Sequence, residues 1–209
     1  MGIKMMIKSI RKVFVSTIII NGGVIPLVVY FVARTGSEYN LNYTVNILTQ
    51  MFTPLLGSFV VCMHMSKYID ARGNEIFYVI NKNKRIEVIK LFISYILCNT
   101  FPFLFYTISN RHLVLEWIHI IIITWFFMCA SYFFCYLFKN ISLSVIPSFM
   151  YTIYSIVGFA FLGQKISYYE FDGATTEALM SKYNYFIIVS VVMFILGNAM
   201  NNHYDSFHE

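Results

Sequence analysis

The sequence predicts an all-α polytopic membrane protein with six transmembrane helices, an N-terminal amphipathic helix on the membrane surface and a short cytoplasmic helix between the second and third crossings. Three observations predict it. Of 209 residues, 58% are apolar and only 12% are charged, whereas a soluble domain carries about 25% charge. The apolar residues gather into six runs, most of them near the roughly 20 residues that cross about 30 Å of hydrocarbon. The formal charge of +5 is distributed over the segments between runs, where it speaks to topology before it speaks to nucleic acid. A lipid bilayer is therefore the expected environment, and no nucleic-acid partner is expected.

Residues 1–12 come first, as an interfacial helix. Ile3, Met6, Ile7, Ile10 and Phe14 recur at helical spacing, with Lys4, Lys8, Arg11 and Lys12 on the opposite face; such a helix lies along the surface with its basic face towards anionic headgroups. The first run, Val13 to Ala33, exceeds the h-region of a signal peptide, about 7 to 15 residues, and no small-x-small site lies near Ala33. It is expected to stay attached. Within it, Asn21, Gly22 and Gly23 precede Pro26 by about one turn, which makes this the span most prone to a break.

The second to sixth runs are Val45–Met65, Val88–Ser109, Leu113–Phe138, Leu143–Gly163 and one centred on Tyr185–Met200. Pro54, Pro102 and Pro147 fall in the second, third and fifth, where each removes a backbone hydrogen bond and marks a kink and a candidate pathway position. Cys62, Cys98, Cys129 and Cys135 all lie inside runs, without the spacing of a zinc site, and read as packing residues. Glu116 and His119, three apart at the start of the fourth run, form a possible intramembrane pair, with Arg111 as another partner. Glu116 stands about one turn from the interface, where snorkelling is expected and Trp117 is a fitting aromatic anchor.

Orientation follows from the basic residues. Eleven of them (Lys4, Lys8, Arg11, Lys12, Lys67, Arg72, Lys82, Lys84, Arg85, Lys90 and Lys139) fall on one side and four (Arg34, Arg111, Lys165 and Lys182) on the other. Positive residues are retained inside, so both termini are expected to be cytoplasmic. The inner loop Ser66–Lys90 has its own order: Asn74 can cap a short helix over Glu75 to Ile80, and Asn81 to Lys84 reads as a polar turn. Ile76, Phe77 and Ile80 form a stripe too small for a core, suited to a groove on a cytosolic partner. On the outer side, 164–184 is the one sizeable loop. Asp172 or Thr175 can cap a short helix there, and Tyr168, Tyr169 and Phe171 suit either a lid or a headgroup-level aromatic belt.

The order Asp70, Arg72, Gly73, Glu75, an apolar stretch and then Arg85 before the third run resembles the coupling-helix region of type-2 ABC exporter permeases. The layout is similar as well, with a basic elbow helix, six spans, a short turn Lys139 to Ser142 and a polar external segment before span six. The family's proline near the end of the coupling segment is absent; Asn81 and Asn83 stand there. The resemblance implies a single permease domain, 1–209, whose segment 66–87 couples to a separate ATPase through Asp70, Arg72, Gly73, Glu75, Ile76, Phe77, Ile80 and Arg85. It implies a transport subunit that is not itself an enzyme, no cofactor in this chain, ATP and Mg in the partner ATPase, a second permease copy or homologue, and a plasma-membrane location. A re-entrant external segment covering the exit is also implied.

In agreement, the nearest approach to a phosphate loop, Gly158 to Lys165, carries Gln164 where the lysine is needed. Runs rich in Phe, Met, Ile and Tyr suit a hydrophobic or amphiphilic cargo such as a peptide, antibiotic or lipid-like molecule. The alternative is an ATP-independent ion- or proton-coupled carrier, or a small membrane sensor or scaffold.

Overall fold

A computed structural model describes residues 15, 19, 23, 24, 27, 41–69, 84–109, 113–162, 167–170 and 175–206 of the chain. Five helices run through them: α1 (Leu41–Ile69), α2 (Lys84–Ser109), α3 (Leu113–Phe138), α4 (Ile141–Leu162) and α5 (Thr176–Ser206). The interfacial helix of residues 1–12 lies outside the described residues. So do Asn21, Gly22 and Pro26; Gly23 alone of that cluster is described, exposed and with π-helical backbone. Three helices, α1, α3 and α5, are long and apolar enough to cross a membrane, and α4 adds a shorter apolar stretch, Ile141–Val157.

α3 is the centre of the bundle and touches each of the other four described helices. Its sequence explains this, since a helix apolar on every side has no face to give to water, and from Ile118 to Phe138 α3 carries no Asp, Glu, Lys or Arg. Close approach is set by two glycines. A methyl group on Gly57 would stand 2.9 Å from Thr124 Cγ2, and one on Gly197 would stand 2.8 Å from Tyr132 Cδ1 and 3.2 Å from the Phe133 backbone. Small residues at such crossings let apolar helices gain dispersion contacts where lipid offers no hydrophobic drive. α5 is the peripheral helix, with 22% of its apolar window buried against 61% for α1 and for α3.

Several boundaries differ from the hydropathy runs, each for a polar reason. α1 continues to Ile69 and α2 begins at Lys84 because Tyr68 and Glu87, both buried, meet across the two helices. Lys84, expected to close a polar turn from Asn81, is instead the first residue of α2; Asn81 to Asn83 lie outside the described residues. The short external helix expected towards Met180 is instead the first part of α5, with Thr175 directly before its first residue. Between α3 and α4 the chain turns in two residues: Lys139 adopts a left-handed φ of 49°, and Asn140 Oδ1 accepts the Leu143 N–H at 3.1 Å as an N-cap.

Pro54 is buried within α1, Pro147 half-buried in α4, and Pro102 falls within α2. Near Pro54 the Thr53 carbonyl accepts the Tyr95 hydroxyl of α2 at 2.6 Å, which ties the two helices together beside the proline. At mid-depth Ser58, Ser131 and Ser148 join α1, α3 and α4 by their hydroxyls, with Ser58 donating to Ser148 at 3.0 Å.

Candidate functional site

Two buried polar clusters stand at opposite ends of the bundle. On α1 they are marked by Gln50 and His64, fourteen residues or about 21 Å apart along the axis.

The first cluster ties the end of α1 to the start of α2. One carboxylate oxygen, Glu87 Oε2, meets His64 Nε2 at 2.6 Å, accepts the Tyr68 hydroxyl at 2.7 Å and the Lys67 ammonium at 3.3 Å. His64, Lys67 and Tyr68 are spaced by three and one, so they share one face of the last turns of α1. Glu87 precedes the apolar run that begins at Val88. Burial alone would raise its carboxyl, but hydrogen bonds from His64 and Tyr68, with the nearby charge of Lys67, hold it down to about 2. The Lys84 side chain is fully buried, and its ammonium lies 5.6 Å from the Tyr68 ring centroid, with that of Lys67 at 4.7 Å.

The second cluster lies where α1, α3, α5 and the segment 167–170 converge. Gln50 Nε2 donates to Glu116 Oε1 at 2.7 Å and to the Glu170 carbonyl at 3.1 Å, while Gln50 Oε1 accepts the Glu170 N–H at 3.0 Å. Glu170 Oε1 in turn accepts from Lys182 at 2.6 Å and from the Tyr183 hydroxyl at 3.2 Å. His119 Nδ1 is 3.3 Å from Glu116 Oε1, and its ring tilts over Tyr183 at 4.5 Å between centroids. Among the described residues neither His119 nitrogen has a hydrogen bond of good geometry.

Two expectations need correction here. Glu116 does not snorkel; it is 1% exposed, because Gln50 from α1 supplies the donor that water would otherwise supply. Tyr168 and Tyr169 line neither an exposed lid nor a headgroup belt. They are buried against Phe127, Tyr151 and each other, inside the second half of the core.

Comparison with protein-family models, with curated proteins and with solved structures finds no match to this chain. The site therefore rests on geometry. Of the coupling residues expected from sequence, Asp70, Arg72, Gly73, Glu75, Ile76, Phe77 and Ile80 lie outside the described residues, and Arg85 is exposed on the first turn of α2. Phe171, Asp172 and Arg111 also lie outside them. Cys62, Cys129 and Cys135 are buried and Cys98 is half-buried. Among the described residues no three His, Cys, Asp or Glu side chains converge as a metal site would require.

Sequence reasoning passed over Gln50, His64, Glu87 and Glu170, and used Lys182 only for orientation. The available signal was their polarity within or beside apolar runs. Periodicity says only that such residues need partners and leaves open which helix provides them.

Proposed function

We propose that this chain is the membrane-spanning permease subunit of an ATP-driven exporter of the type-2 ABC kind, with six crossings, an elbow helix, cytoplasmic termini and a plasma-membrane location. It works with a second permease copy or homologue and takes its energy from a separate ATPase that holds ATP and Mg. The observation that carries this reading is the Glu87 cluster. A loop that receives a mechanical push moves the bundle only if its two feet are joined, and Glu87 joins the feet of the 70–83 loop through three donors on α1. A buried, charge-assisted junction resists the separate tilting of α1 and α2. Force on Glu75 to Ile80 then reaches α3, which both helices touch, and shifts the balance between inward-open and outward-open arrangements.

The test is co-purification. Glu75→Ala or Phe77→Ala is expected to release an associated ATPase while membrane insertion stays intact; retention of the ATPase by both variants argues against the coupling role. One observation favours a second reading, an ion- or proton-coupled carrier: the buried Glu116 and His119 stand in contact within an apolar helix. Transport by the purified chain in liposomes driven by a pH gradient, with no nucleotide, would select that reading over the first.

A further inference from the structure

The Ser167–Glu170 segment is non-helical backbone held among four helices. Ser167 Oγ donates to the Ser155 carbonyl of α4 at 2.8 Å and accepts the Tyr169 N–H at 3.0 Å. Tyr168 packs on Phe127 of α3, Lys182 of α5 pairs with the Glu170 side chain, and Gln50 of α1 bonds both the N–H and the C=O of Glu170. Irregular backbone at this depth is tolerated only where protein or water satisfies its polar groups.

We propose that Ser167–Glu170 is a flap that opens independently of the helices, with Gln50 as the positioning residue that latches it. A single carboxamide meets the Glu170 backbone as the edge of a neighbouring strand would, and its second amide hydrogen anchors it to Glu116 on α3. Without Gln50, the Glu170 N–H and C=O are left unpaired inside the bundle. Moved outwards, both are hydrated, and so are Glu170 and Lys182. The Glu170 backbone thus has two positions in which its polar groups are satisfied, and the burial of Tyr168 and Tyr169 favours the closed one. The flap does not depend on the transport reading.

Hydrogen exchange of the intact protein in lipid nanodiscs, read by mass spectrometry on peptides covering 167–170, tests this. In the wild type the flap is expected to exchange faster than α1 and α3 yet well below the rate of an unstructured peptide. Gln50→Ala is expected to raise flap exchange by about tenfold or more with α1 and α3 unchanged. Lys182→Met, which leaves α1 untouched, is expected to raise it less. Flap exchange at the unstructured rate in the wild type, unchanged flap exchange in Gln50→Ala, or loss of protection along α1 in that variant would each overturn the proposal. A missing ATPase partner would defeat the exporter reading and leave this result standing.

Discussion

At the scale of single residues, the decisive groups are the few that an apolar environment cannot leave unpaired. Glu87 is the clearest. Glu87→Ala leaves buried His64 and Tyr68 facing a hole and is expected to cost about 3–5 kcal/mol, whereas Glu87→Gln keeps one acceptor and is expected to cost about 1–3 kcal/mol; thermal unfolding in detergent measures both. The pH dependence has a definite sign. A carboxyl held at about 2, below its ordinary 4.5, stabilises fully above pH 4.5, and that contribution is lost as pH falls from there towards 2. Glu87→Gln should therefore flatten the acid limb of the stability profile. That Glu87 and His64 need partners was legible in the sequence; that they partner each other was not. The two stand 23 positions apart in the chain and on different helices, and no local rule specifies the rotation of α1 against α2.

At the scale of elements, apolar length located the helices and polar pairing moved their ends. The run Leu113–Phe138 is α3 residue for residue, because Glu116 is its one charged residue and it packs against the four other described helices. α5 begins nine residues ahead of the apolar run centred on Tyr185–Met200, and early in it Lys182 and Tyr183 bond to Glu170. Glycines mark where elements touch. Gly197→Ala must displace the Tyr132 ring or the α3 backbone and is expected to cost about 1–3 kcal/mol. Gly23→Ala meets nothing within 4 Å and is expected to be neutral or slightly stabilising. The two variants, compared by thermal unfolding, separate packing from helix propensity.

At the scale of the whole molecule, three helices able to cross a membrane make this a membrane protein, and sidedness is open to direct measurement. Trypsin is expected to cut after Lys82 in inverted vesicles and to spare that bond in right-side-out ones; the opposite pattern would reverse the proposed orientation and place the Glu87 cluster outside. The sequence by itself determined the environment, the helical class and the approximate helix limits, because those depend on apolar length and on charge counted along the chain. Only the tertiary structure decided that Gln50 meets Glu170 and Glu116, and that Glu87 gathers His64, Lys67 and Tyr68. Such pairings depend on which faces of neighbouring helices come together, and that is settled by side-chain packing between segments far apart in the chain.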